Sequence, residues 1–212
     1  ERLPLVAAVG FCCFASIPHL KREMWGAPMR SAGLDFRGGV AMFEDFSERA
    51  RRIVFLSRKM AGRRGAAAIG VEDLIEALVV EDQGDFLKVF QEDASRAVWS
   101  MPQYRAFLSA ETAAEIQQRL QPLLPKADPL PDSVEMALSD ALQELFATAI
   151  KLGEELRGEP ARPSRIQVGH VEPLHLLAAV LSDETSATAE VLKEAGIAKE
   201  AVIAAIKSGE YS

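Results

Sequence analysis

The sequence predicts an all-α protein: two four-helix repeats packed as a pseudo-twofold helical bundle. Three observations carry that expectation. Alanine and leucine abound while aromatic residues make up only 7% of the chain, a balance that favours helix over sheet. From residue 47 onward, apolar residues recur at spacings of three and four, the period of a helix with one buried face. The chain also matches itself when slid by 102 residues.

The first helix opens at Ser47, whose hydroxyl suits a helix N-cap because it can accept a bond from an unpaired first-turn amide. Its inward side is Ile53, Leu56 and Met60, and Gly62 and Gly65 end it. A short link, Ala66 to Gly70, leads to a second helix carrying Leu74, Ile75, Leu78 and Val79. Glu72 and Asp73 lie in its first turn, where negative charge complements the helix dipole. No strand is expected between residues 46 and 80. A third stretch, Phe86 to Trp99, turns Phe86, Val89, Phe90 and Val98 inward, and residues 111 to 120 form a fourth helix buried through Ile116 and Leu120. Pro122, Pro125, Pro129 and Pro131 break any helix and mark a linker, residues 122–131, between a first repeat (42–121) and a second (132–210).

In the second repeat Leu138, Leu142, Leu145, Ala149 and Leu152 form an apolar stripe. It lasts only two heptads, so it reads as core rather than as a coiled-coil seam. Residues 158–164 are a loop. Val171 to Leu181, Ala187 to Ala195 and Lys199 to Lys207 complete the helices, with Gly196 as a stop. The self-match places Ile69-Gly70-Val71 on Val171-Glu172-Pro173 and Leu74, Ile75, Ala77, Leu78 and Val79 on Leu176, Leu177, Ala179, Val180 and Leu181. It runs without a gap through about twenty-five positions. Each unit alone would be small and marginal, so the two are expected to share one interior.

Residues 1–41 read differently, as an extension that is poorly ordered or outside the fold. Residues 3 to 18 form an almost uncharged run of signal-peptide size, and Gly26 to Gly39 is rich in Gly and Arg without any period. Three readings are open: an export signal, an unstructured extension, or translated sequence upstream of a start at Met42. The residues favour the last two. A helix in this region would span Leu5 to Ala15.

Composition excludes several classes. With 24 basic against 31 acidic residues the net charge is -7, and duplex nucleic acid is not an expected partner. No apolar run reaches the ~20 residues of a membrane span, so a membrane role beyond an N-terminal signal is not expected, and the location is read as cytoplasmic. Cys12 and Cys13 are adjacent, too close for ordinary disulfide geometry, which excludes a disulfide-built scaffold.

The segment FEDFSERARRIVFLSRKMAGRRGAAAIGVEDLIEAL (43–78) resembles the first repeat of the Clp N-terminal domain, or Clp repeat domain. That family opens with Phe-x-x-Phe-Thr/Ser-Glu-Arg-Ala, continues to a Gly, and then has Ile-Gly-x-Glu-His-Leu-Leu. Residues 130–150, 173–181 and 190–197 resemble the second repeat, and the likeness covers about residues 43 to 208. Asp73 replaces the usual His in the first repeat, whereas His175 keeps it in the second; residues 95–108 fit poorly, and the loop from Glu154 to Gln167 is longer than usual.

The resemblance implies a docking role. In that family the domain sits at the N-terminus of ATP-driven unfoldases and binds substrates or adaptors for them. Expected partners are therefore unfolded polypeptides or Clp adaptor proteins, and beyond them a Clp ATPase or protease complex. The sequence has no G-x-x-x-x-G-K-[ST] phosphate loop, so ATP hydrolysis is not assigned to it, and it is either a stand-alone repeat protein or a piece of a larger unfoldase. Some members bind phosphorylated arginine through the Thr/Ser at the first helix start and the Glu of Ile-Gly-x-Glu, once per repeat. Ser47 and Glu72 match that pattern and are the candidate binding residues; in the second repeat Leu174 stands where the Glu would be, which suits packing or an apolar peptide.

The residues themselves point to little chemistry. His170 and His175, with Glu172 between them, are five apart rather than in H-E-x-x-H, so no metal site is expected, and His175 reads as a packed or hydrogen-bonded residue at a helix start. No nucleophile elbow is present. No catalytic residue and no cofactor are expected. The basic run Arg49, Arg51, Arg52, Arg58, Lys59, Arg63 and Arg64 faces eight acidic groups in residues 72 to 93, and the pattern reads first as solvated surfaces with weak ion pairs. The sharper alternative is a surface that steers a charged partner. An enzyme of unknown class and a regulatory decoy competing for Clp adaptors are the other functional readings.

Overall fold

The computed structural model describes residues 43, 45–85, 105–131, 133–156 and 170–209. Expectations on residues 1–41, 86–99 and 158–164 lie outside them. Among the described residues the chain forms seven helices and one two-stranded parallel sheet, a mostly helical fold. No helix among them is long and apolar enough to cross a membrane.

Helix α1 is Glu48–Arg63, and Ser47 caps it, its Oγ accepting from the Ala50 amide at 3.2 Å. Ile53 and Leu56 are fully buried and Met60 nearly so. Gly62 does not end the helix as expected; it stays inside, and the turn is made at Gly65, whose φ is +65°. Helix α2, Val71–Asp82, returns antiparallel to α1: Arg49 near the start of α1 reaches Glu81 near the end of α2, while Arg64 beyond the end of α1 reaches Asp73 and Glu76 near the start of α2. Leu74, Ile75, Leu78 and Val79 are all buried.

The link between these helices corrects an expectation. Ala68–Ile69 is a strand, β1, paired in parallel with β2, Ala137–Leu138, in the register Ala68↔Ala137 and Ile69↔Leu138. Ile69 is buried, so its backbone groups need partners away from water, and a two-residue ladder provides them.

Helix α3, Ala110–Leu120, is capped by Ser109 and buries Ile116 and Leu120 completely. The Asp82 carboxylate accepts from the Phe107 and Leu108 amides at 2.9 and 3.0 Å and fixes the approach to it. The proline-rich linker is laid against the end of α1, with the Ala127 amide donating to the Arg64 carbonyl at 2.9 Å and Leu130 to Gly62 at 2.8 Å. Leu124 is buried there.

Gly65 is where that packing is tightest. A Cβ added to it would lie 2.2 Å from the Asp128 carbonyl oxygen, whereas at Gly196 (φ +82°) a Cβ would meet nothing within 4 Å. Gly65→Ala is therefore expected to destabilise by more than Gly196→Ala. Both carry the about 1–2 kcal/mol of a left-handed residue with a side chain, and only the first adds a backbone collision. Thermal denaturation of the two variants checks this; equal losses would mean that the linker simply moves away.

Helix α4, Asp140–Glu155, is capped by Ser139 Oγ, and Leu142, Leu145 and Ala149 of the expected stripe are buried. Leu138 belongs to β2 instead, and the fully buried Phe146 joins the core beside the stripe. Every residue of α5, Pro173–Val180, is buried. Helices α6, Ala187–Glu194, and α7, Lys199–Ser208, follow, with α6 against α3 and α7 against α5. One apolar cluster runs from Phe46 to Val202 through all of these elements.

A second parallel pairing, a single bridge, joins Phe46 to Val171. Thus the residue before the cap of α1 pairs with the residue before the cap of α5, and the strand before α2 pairs with the strand before α4. Both pairings continue into the caps: Ser47 N donates to Val171 O, and Ser139 N to Ile69 O, each at 3.0 Å.

Candidate functional site

The structure does not bring Ser47 and Glu72 together. Each stands at the start of a helix, and α1 and α2 are consecutive and antiparallel, so their starts lie at opposite ends of the pair. From Glu72 to Glu81, the residue that meets Arg49, is nine residues of helix, about 14 Å at ~1.5 Å per residue. Ser47 is buried, and Glu72 is half-buried with its carboxylate folded over Gly70. Across the parallel pairings each has a different neighbour. Ser47 meets the start of α5, while Glu72 follows the Ile69 carbonyl that receives the Ser139 amide at the start of α4.

Ser47 belongs to a polar cluster within the core. Its hydroxyl lies close enough to the Glu172 carboxyl to favour the charged form. Burial pushes that carboxyl above its ordinary 4.5, against the downward pull of the Ser47 hydroxyl and the Arg49 charge, while the nearby charge of Glu81 adds to the rise. Glu81 is only 4% exposed and is held by two guanidinium groups: Arg49 Nη2 donates to Oε2 at 2.9 Å and Arg49 Nε to the same oxygen at 3.2 Å, and Arg52 Nη1 donates to Oε1 at 2.9 Å. Two arginines thus balance two carboxylates where α1, α2 and the start of α5 meet.

This corrects the reading of the basic run as a solvated face. Arg49 is buried; Arg51 Nε donates to the Phe43 carbonyl at 2.8 Å; Arg58 donates to the Val134 carbonyl at 3.0 Å; Arg64 pairs with Asp73 and Glu76. Arg63 is exposed. A signal for the buried pair was present in the sequence. Arg49 lies four residues before Ile53 and Glu81 three after Leu78, so both charges fall on apolar stripes, and opposite charges on facing stripes imply a buried pair.

Asp73 and His175, which the self-match of the sequence aligns, perform one task with different chemistry. Asp73 Oδ2 accepts from the Gly70 amide at 2.8 Å, and His175 Nδ1 accepts from the Glu172 amide at 3.0 Å. Each side chain reaches back from the first turn to the N-cap residue of its helix, the reciprocal half of a capping box. His175 therefore stands where the sequence places it, at a helix start, buried and hydrogen-bonded. Accepting at Nδ1 puts the imidazole proton on Nε2, and burial pushes this group below its ordinary 6.5. His170 is half-buried just before Val171. Among the described residues no group of three or more His, Cys, Asp or Glu side chains is arranged to hold a metal ion.

No family model matches the chain, and no curated protein matches it. A solved structure from work described as "Preliminary structural investigations of a malarial protein secretion system" is similar to it, with a TM-score of 0.54 and 19% sequence identity, over 78% of this chain and 94% of that one. At that identity the likeness shows a shared fold.

Proposed function

We propose that this chain is a non-catalytic docking module for polypeptides, similar to the Clp N-terminal domain and built from two helical repeats about an approximate dyad. The reading places it in the cytoplasm, with unfolded polypeptides or Clp adaptor proteins as partners, in the service of a Clp ATPase or protease complex. One observation carries it. The two parallel pairings are reciprocal: the start of the first helix of one repeat meets the start of the second helix of the other, at Phe46↔Val171 and again at Ala68–Ile69↔Ala137–Leu138. A dyad relating two copies of a helix–link–helix unit produces that reciprocity, and the matched caps at Asp73 and His175 follow the same correspondence.

In such a body the helix starts at both ends are occupied in joining the repeats. Ser47, held by Val171 and close to Glu172, acts as part of that joint, and Glu72 remains on the side nearer solvent. Docking then falls to the outer helix faces, where a polypeptide can lie without breaking the seam. Calorimetry of the full chain with a reduced and alkylated, permanently unfolded polypeptide, and separately with a Clp adaptor protein, tests the proposal. Saturable heat and a complex by gel filtration with either one are expected. Neither heat nor complex with both would remove it.

A further inference from the structure

We propose that the contact between the starts of α1 and α5 is an acid-labile latch, released when His175 is protonated, whereas the matching contact between the starts of α2 and α4 holds. The inference rests on the seam geometry and stands whatever docks on the outside.

Three bonds place the residues before α5: Ser47 N to Val171 O at 3.0 Å, Val171 N to Asp45 O at 2.8 Å, and Glu172 N to His175 Nδ1 at 3.0 Å. The last depends on an unprotonated Nδ1. With a proton there, two N–H donors face each other at hydrogen-bond distance, and the imidazole, only 6% exposed, carries a charge out of water. The cap bond is lost next to the bridge that joins Phe46 to Val171. At the other seam the same task falls to the Asp73 carboxylate, which has no ring nitrogen to convert from acceptor to donor.

The surroundings contain other charges, and their placement decides the sign. From α1 come Ser47, Arg49 and Arg52, from α2 comes Glu81, and from the turn before α5 come Glu172 and His170. The charged residues of α4 (Asp140, Glu144, Lys151, Glu154 and Glu155) are all exposed, as are Glu200 and Lys207 of α7, with Lys199 half-exposed. His175 has its pKa lowered by folding, so the stability it contributes is present above 6.5 and is lost as pH falls through the lowered value. Glu172 runs the other way: its contribution is present below 4.5 and is lost as pH rises through the raised value. As pH falls, proton uptake at His175 therefore loosens the latch, and proton uptake at Glu172 opposes that loosening.

Hydrogen exchange on the full chain between pH 7.5 and 5.5, corrected for intrinsic exchange, tests this. Protection of the Ser47 and Val171 amides is expected to fall by up to about tenfold per pH unit below 6.5, the slope for uptake of one proton on opening, while Ser139 keeps its protection. His175→Asp should abolish the fall, and Asp73→His should create the same fall at Ser139. Unchanged protection at Ser47 and Val171 down to pH 5.5, or a parallel loss at Ser139 in the unaltered chain, would overturn the latch. So would disappearance of the effect in His170→Gln, which would assign it to the neighbouring imidazole. If His175→Asp does not fold, the Asp73→His result decides.

Discussion

Arg49→Met is expected to lower the unfolding free energy by about 3–5 kcal/mol, the range for breaking a buried ion pair by removing one partner. Methionine fills much of the same space, so the loss is electrostatic. Glu81 would be left with Arg52, Glu172 would lose the Arg49 charge, and a carboxylate only 4% exposed would lose the three hydrogen bonds that Arg49 makes to it. Urea denaturation gives the number. Adding Glu81→Leu to the same chain should recover most of the stability, because a buried pair replaced by apolar side chains of similar volume is often neutral or stabilising. A loss below about 1 kcal/mol in the single variant, within the range of an exposed pair, would show that water reaches Glu81 and that the cluster is not part of the interior.

Phe146→Ala should cost about 3–5 kcal/mol as well, by cavity formation. The ring is fully buried and lies edge-on to Phe43 and Phe46, with centroids 5.7 and 5.4 Å away; those two are themselves 5.3 Å apart. Such edge-to-face pairs add about 0.5–1.5 kcal/mol each beyond burial. Phe146 sits on α4, and its two partners precede α1, so the trio ties the approach to the first helix to a helix far along the chain. Phe146→Leu, which keeps most of the volume, should lose much less. Comparing the two by thermal denaturation separates the cavity from the ring contacts; near-equal losses would place the whole effect in the aromatic pairs.

Much of the helical layout was legible because it is local. Ser47, Ile53, Leu56 and Met60 announce α1 by capping chemistry and spacing alone, and Leu142, Leu145 and Ala149 do the same for α4. The sheet was not legible, since two-residue strands such as Ala68–Ile69 have no length over which an alternating period can register. That Ser47 and Glu72 stand at opposite ends of the α1–α2 pair was not legible from spacing, which reports the face of a helix a residue occupies and says nothing of which end its neighbour presents. Yet two helices joined by a short link pack antiparallel as a rule, and that alone would have set the two residues apart. His175 was readable as a packed or hydrogen-bonded residue at a helix start, but its capping role and its equivalence with Asp73 needed coordinates, because the shared element is a backbone amide that no side-chain pattern displays.

The reciprocal pairings also constrain how the nascent chain becomes a folded one. While the first two helices leave the ribosome, Phe46 and Ile69 have no edge to pair with; Leu138 must be synthesised before one gap is filled and Val171 before the other. Closure therefore waits on residues distant in the sequence, and such contacts slow folding relative to a bundle whose neighbours are all local. Until translation passes Val171, the backbone edge at Phe46 lacks its partner, although the Phe46 ring can already meet Phe146.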